Sequence, residues 1–448
     1  MNPFSFEEGC EFLLGRGRFS ATPGLHRISR VMDCFGNPQD DLRVLHVAGT
    51  NGKGSTCAFL ESVLRSAGHR VGLYSSPHLQ SIRERIMVDG IPISRESFVS
   101  VLNRVHEVAS RALAEEEPLT FFEYLTAMMY LHMAEERVDY LVQEVGLGGR
   151  YDATSVVKRP LVSVITEISF DHTSLLGDTE GAIAWEKAGI VKDGCPTVTS
   201  AQSDEALQAI GDVCRRHRSE LHVLQEAPVS RWNYRIHSYD CSGAMFEYRG
   251  SRWHVPTIEI GMLGKHQIRN AALALLALEH MNSPIDIQVS DWLAGLRRAT
   301  WPGRLECVQS KPIVLLDGAH NLQGAQVLAQ NLRDICKVPL THSIVAISRG
   351  KDFVPMLEQM APVLTGHVWV TTFPGSVPLD TLFEAAQRML TRALSVSLVE
   401  KVDDALAQAF AAAQSKDAIV IWGSLYLVGA ARGHWFPLLP GSDCCPAD

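Results

Sequence analysis

At 448 residues the chain has room for roughly two to four domains, and 46% hydrophobic with 20% charged residues describes a packed globular protein. A net charge of −9 excludes a general nucleic-acid binder, whose footprint is basic, but leaves anionic small substrates open, because a few local Lys and Arg can reverse the field in a cleft. The ten cysteines form no C-x-x-C pair, the opening Met1-Asn2-Pro3-Phe4 has no basic or long apolar stretch, and runs such as Ala271–Leu278 and Ala418–Ile421 are too short for a bilayer. A cytoplasmic protein without a disulfide framework, zinc site or membrane span is expected.

In chain order, Arg43–Ala48 reads as a buried strand and Thr56–Ala67 as a helix stopped by Gly68. Val71–Tyr74, Tyr140–Val145 and Leu161–Ile165 read as further strands, so β-α-β units and a mainly parallel sheet follow. From Trp232 to Ile260 the pattern shortens. Asn233–His237 and Met245–Tyr248, with Cys241-Ser242-Gly243 between them, predict antiparallel hairpins before a helical stretch at Gln267–His280. Trp301-Pro302-Gly303 breaks the chain. Beyond it, strands are expected at Ile313–Leu316, Ser343–Ile347, His367–Thr371, Ser395–Leu398 and Ala418–Trp422. The fold class is therefore α/β. A large P-loop-type N-terminal domain (1–298) has a mainly parallel sheet and a small antiparallel section. A smaller doubly wound, Rossmann-like domain (299–436) follows, with an irregular tail (437–448).

The strand Val44–Ala48 runs into Gly49-Thr50-Asn51-Gly52-Lys53-Gly54-Ser55, and a helix follows. Glycines let backbone N–H groups curl around a phosphate, the helix start adds positive field, and Lys53 adds a mobile cation. The spacing is unusual for such a loop. GxxxxGK[ST] would put its first glycine at Val47, and Gly54 separates Lys53 from Ser55. A tight turn with an incidental lysine is the plainer alternative.

Other candidates carry less information alone. Glu144 ends a strand, where ligands gather in open α/β sheets, yet a capping or solvated carboxylate fits as well. Ser76 precedes Pro77 and reads as a turn residue. His172 follows Asp171 at the end of another expected strand. Lys187 reads as a helix-end lysine of the kind that usually meets solvent. Asp317-Gly318-Ala319-His320-Asn321 lies where a strand meets a helix, so Asp317 or Asn321 could simply be an N-cap, and Arg304 could be surface.

The loop Ala48–Ser55 resembles that of the Mur-ligase superfamily, and its extra Gly54 resembles the dihydrofolate synthase/folylpolyglutamate synthase branch. The resemblance runs from about Gly24 to about Gly429. Its motifs include Gly24-Leu25-His26-Arg27-Ile28, Ser75-Ser76-Pro77-His78-Leu79, Glu84-Arg85-Ile86, Thr120-Phe121-Phe122-Glu123, Glu144–Arg150, Asp171-His172, Glu186–Ile190, Trp301–Glu306, Asp317–Asn321 and Gly423–Tyr426. It implies ATP on Gly49–Ser55, with Asn270, Arg304, Asp317 and His320 completing the nucleotide site. It also implies two Mg²⁺, one on Glu144 and Ser76 and a second on His172, with Lys187 carried as a metal-binding carbamate. Lys53, Lys187, His172 and Glu144 are the implied catalytic set, and a monovalent cation is left open.

The implied reaction is ATP-dependent addition of L-glutamate to dihydropteroate, to reduced folates, or to both, through an acyl phosphate, by a monomer. A Mur-type ligase acting on a peptidoglycan precursor and a P-loop kinase or nucleotide-binding protein are the alternatives. Three departures from the family pattern stand out. Ser155 closes Tyr151-Asp152-Ala153-Thr154-Ser155 where the family has Asn. Ser348–Asp352 is only loosely like Asp-Lys-Asp, and Phe373–Asp380 lacks a common arginine.

Overall fold

The computed structural model describes residues 3–17, 24–115, 117–229, 233–282 and 287–437. An eight-stranded sheet runs Ile91–Pro92, Ile86–Val88, Val71–Tyr74, Tyr140–Glu144, Val44–Ala48, Val162–Ile165, Thr197–Thr199, Leu221–Val223. The last six are parallel, and the two at the Ile91 end are antiparallel. The central strands are apolar and buried throughout, as expected for a sheet covered on both faces.

Val44–Ala48 pairs with Tyr140–Glu144 on one side and Val162–Ile165 on the other. These neighbours are distant in sequence, so chain crossovers leave a crevice at the carboxyl ends of the central strands. Ligands bind at such a crevice in open α/β sheets.

The helix Lys265–His280 is apolar on nearly every side because it is enclosed. The large sheet's helix Lys53–Ser66 packs against it, and a three-stranded antiparallel sheet (Tyr234–Asp240, Gly243–Arg249, His254–Ile260) covers it. The hairpin turns through Cys241-Ser242, as expected, and the stretch expected from Trp232 onward lies partly outside the described residues.

A six-stranded sheet follows, in the order Glu306–Ser310, Ile313–Asp317, Ala418–Trp422, Thr341–Val345, His367–Val370, Ser395–Leu398. All but the first strand are parallel. The stretch 299–305 joins it to the helix Val289–Arg298, which is pinned to Lys53–Ser66. A side chain at Gly295 would come within 2.5 Å of Val63 Cα.

Three local expectations are corrected. The helix after the loop begins at Lys53, three residues before Thr56, because left-handed Gly52 (φ 87°) starts it. The strand expected at Ser343–Ile347 is Thr341–Val345, since Ala346 and Ile347 are buried by packing and not by pairing. Asp171-His172 is not a strand end: Val162–Ile165 stops earlier, and His172 precedes the short helix Thr173–Leu176 in a left-handed conformation (φ 50°). Of the expected tail, residues 438–448 lie outside the described residues.

Candidate nucleotide and metal site

The loop leaves the strand at Gly49 and closes on Lys53, the first residue of its helix. Gly54 has a steric cause. A Cβ there would lie 2.7 Å from Nε1 of Trp301, which comes from the joining stretch. The extra glycine therefore lets the linker approach the phosphate loop. The Lys53 ammonium folds back to donate to the Gly49 and Thr50 carbonyls, at 3.2 and 3.0 Å. Ser55 accepts from Gln267 (3.2 Å), and Asn270 donates to Gln267 (3.0 Å), so the enclosed helix braces the loop from below.

Glu144 is 4% exposed, and its Oε2 accepts from the Ser76 backbone N–H at 3.0 Å. Burial raises its pKa, while Lys53, the Ser76 N–H and Arg304 pull it back.

Lys187 is 5% exposed and ends its helix buried, unlike the solvent-facing lysine of the plainer alternative. Its Nζ donates to Gly49 O at 2.8 Å, the carbonyl that Lys53 also uses. Burial, then the Lys53 charge, brings its pKa down to about 7. Gly149 packs directly on this helix end, where a Cβ would sit 2.6 Å from Lys187 O. Ser155 anchors the same turn by donating to Gly149 O, so the departure from Asn keeps a hydrogen bond there.

Asp171 is held at about 2. Burial opposes its ionisation, but Lys351, His172 and His320 outweigh that. Burial lowers the His172 pKa, leaving the imidazole neutral near pH 7 with a lone pair to offer.

From the C-terminal sheet, Asp317 accepts from the Leu305 and Ala319 N–H groups, both at 2.8 Å, so it braces the turn that carries Arg304. The Arg304 side chain donates to Gly318 O at 3.4 Å. His320 Nδ1 lies 2.8 Å from Gly318 O and must donate to it, which leaves Nε2 as an acceptor. Burial, with Arg304 and Lys351 adding, lowers its pKa to about 4.

Every residue singled out in the sequence lines one cleft of about 220 Å³: Gly49–Ser55, Ser76, Glu144, His172, Lys187, Asn270, Arg304, Asp317 and His320. The sequence reading missed Gln267, Glu167, Arg269 and Gln323, which line it too. Arg269 pairs with Glu167 at 3.2 Å. Only the place of Gln323, two residues after the N-cap Asn321, hinted at a site.

Among the described residues no three His, Cys, Asp or Glu side chains gather to hold a metal. A cation here would need ligand oxygens as well as protein ones. That suits Mg²⁺, which keeps waters and bridges phosphates. Glu144, a buried carboxylate in this cleft, fits such a role.

Residues 47–278 match the Mur ligase middle domain and residues 303–425 the Mur ligase glutamate ligase domain. The chain is 36% identical over 435 residues to the dihydrofolate synthase/folylpolyglutamate synthase of Bacillus subtilis, covering 96% of this chain and 98% of that protein. Mycobacterium tuberculosis folylpolyglutamate synthase, solved with ADP, superposes with a TM-score of 0.85 at 31% identity, covering 96% of this chain and 98% of that one. Escherichia coli FolC, solved with DHPP and ADP, does so with a TM-score of 0.83 at 28% identity, covering 96% of each chain. The protein belongs to the dihydrofolate synthase/folylpolyglutamate synthase family of Mur-type ligases.

Proposed function

We propose that the chain is an ATP-dependent ligase that joins L-glutamate to dihydropteroate and extends reduced folates with further glutamates. The observation that carries this reading is the cleft itself. It places a phosphate loop, a buried carboxylate and a buried lysine from one sheet opposite Arg304 and His320 from another.

An amide does not form directly from a carboxylate and an amine, because oxide is a hopeless leaving group. ATP removes the difficulty. The acceptor carboxylate attacks the γ-phosphorus and ADP departs. The glutamate amine then attacks the acyl phosphate and phosphate departs. The loop N–H groups and Lys53 hold the phosphates in line and take up charge as the phosphoryl group moves. Asn270 lies beneath the loop, and Arg304 and His320 close on the nucleotide from the second domain (299–436), with residues 1–298 forming the ATP-binding body.

Mg²⁺ held by Glu144 and the Ser76 hydroxyl, and by His172 with a Lys187 carbamate, would supply the positive charge that phosphoryl transfer needs. The carbamate arises when neutral Lys187 amine adds to CO₂ and releases a proton. Closure of the cleft keeps water from the acyl phosphate.

The Bacillus subtilis relative bears both activities in its name, which supports both acceptors here. The test supplies purified protein with MgATP, glutamate and either dihydropteroate or a reduced folate, and weighs the products. Both acceptors are expected to gain glutamate. Gain by only one removes the dual activity, and gain only by a nucleotide-linked muramyl acceptor overturns the folate reading.

A further inference from the structure

Two donors on the nucleotide side of the cleft meet one acceptor from the other side. The Asn51 side-chain amide and the Ser169 hydroxyl both donate to Oε1 of Gln323. Gln323 stands on the first turn of the helix Leu322–Ile335, which follows the C-terminal strand Ile313–Asp317. Nothing in the chemistry above uses it.

The two donors are not independent. Thr166 Oγ1 donates to Asn51 O at 2.7 Å, and the Thr50 N–H donates to Glu167 O at 2.9 Å. The Ser169 N–H donates to Thr50 Oγ1 at 3.1 Å, and that hydroxyl donates back to Ser169 O at 3.0 Å. The phosphate loop and residues 166–169 are thus zipped into one unit that presents two outward donors.

Further contacts cross the same seam. Asn321 Nδ2 donates to Asp171 Oδ2 at 3.2 Å, and Lys351 Nζ lies 3.2 Å from Asp171 Oδ1. A flexible lysine keeps an ion pair through small displacements. A single amide oxygen serving two donors is stricter. Its two lone pairs favour certain directions, so both bonds hold together over a narrower range of placements of the C-terminal half relative to the loop.

We propose that Gln323 is a positioning residue of the ligase, whose Oε1 ties the phosphate-loop conformation to closure of the C-terminal half over the cleft. The proposal rests on the ligase reading above. Without this acceptor, Asn51 and Ser169 turn to water and the closed arrangement is less populated. Water then competes with glutamate for the acyl phosphate. The acyl phosphate is cleaved to the original carboxylate and inorganic phosphate, so ATP is spent with no amide formed.

The experiment compares the full-length wild type with Gln323→Ala, Gln323→Glu, Asn51→Ala and the double variant Asn51→Ala/Gln323→Ala. In Gln323→Ala, ligation is expected to fall on the order of tenfold, as for two lost hydrogen bonds, with a melting temperature lowered by no more than about a few degrees. ADP released per amide formed is expected to rise above the wild-type ratio, a readout that a merely structural role would not move. Gln323→Glu keeps an acceptor for the same two donors and is expected to restore that ratio. Gln323→Met, of similar length and with only a weak thioether acceptor, gives the same reading should alanine disturb the fold.

Binding of ADP alone, measured calorimetrically, closes a mutant cycle, where non-additivity of about threefold or more is expected. Wild-type rate and ratio in Gln323→Ala, or additive losses in the cycle, overturn the proposal. A wild type that forms no amide overturns the ligase reading instead, and the ADP cycle still decides for or against Gln323.

Discussion

Lys187 is expected to carry its carbamate because burial has already prepared the amine. At its usual pKa near 10.4, a lysine is neutral in only about one molecule per thousand at pH 7.5. With the pKa brought down to about 7, roughly three-quarters of Lys187 is neutral at that pH. The pool of amine able to add CO₂ is thus several hundred-fold larger than for a surface lysine. After chelation and removal of bicarbonate, activity is expected to drop and to return on adding Mg²⁺ with bicarbonate. With ¹³C-bicarbonate, a carbamate carbonyl signal should rise in parallel. Lys187→Ala is expected to lose about 10²-fold or more, on the scale of a removed charge stabiliser, with partial rescue by short carboxylic acids. Full activity of unaided Lys187→Ala would refute the reasoning. So would a wild type indifferent to bicarbonate that shows no carbamate signal.

Lys53→Ala is expected to lower ligation about 10²–10³-fold with an unchanged far-UV circular dichroism spectrum, and near-normal turnover would remove the loop's phosphate role. Gly54→Ala drives a Cβ to 2.7 Å from Trp301, so activity should fall, and Trp301→Ala added to it should recover part of the loss. If the pair is no better than Gly54→Ala alone, the contact does not explain Gly54. His46 is fully buried with its pKa pushed down to about 3, by burial first and then Lys192. Between that pH and the unfolded value of 6.5 the unfolded chain binds the extra proton, so stability is whole above 6.5 and falls as the medium is acidified toward 3. The loss spans up to about 5 kcal/mol at 1.36 kcal/mol per unit. His46→Gln should flatten this acid limb in urea titrations at pH 4–7, and an unchanged limb would assign the acid sensitivity to other groups.

Strands with strong apolar runs were legible at once: Val71–Tyr74 and Ala418–Trp422 have the expected bounds. Of the edge strands, Ser395–Leu398 was legible, whereas Ile91–Pro92 and Glu306–Ser310 were not. Ile91–Pro92 is two residues long, and Glu306–Ser310 is polar on its open side, so neither carries a burial pattern. The helix at Lys53 was read three residues late because Lys53-Gly54-Ser55 has poor helical composition, and its start is fixed by Gly52 and the phosphate-loop geometry. Asp171-His172 was misplaced because the chain after Ile165 is held by the loop Thr50–Asn51 and not by a neighbouring strand. Contiguous motifs marked the cleft's walls, but contacts such as Lys187 to Gly49 or Gln323 to Asn51 join residues far apart in sequence and leave no local pattern.

The charge of the cleft also escapes a reading of motifs. The sequence left open that local lysines and arginines reverse the chain's negative field there. Among its described lining residues, however, Lys53, Lys187, Arg269 and Arg304 face Glu144, Glu167, Asp171 and Asp317, four charges of each sign. The lining histidines His172, His266 and His320 add none near pH 7, since burial lowers the pKa of each. A neutral Lys187 tips the balance to one net negative charge, and its carbamate makes two. A nucleotide triphosphate is itself strongly anionic, so these side chains, even with Lys351 paired to Asp171 just behind them, leave most of its charge uncompensated. The loop N–H groups contribute partial charges only. Divalent cations arriving with the nucleotide are therefore expected to supply part of the compensation. A lysine that changes from cation to anion would raise the site's demand for them while opening a place to hold them.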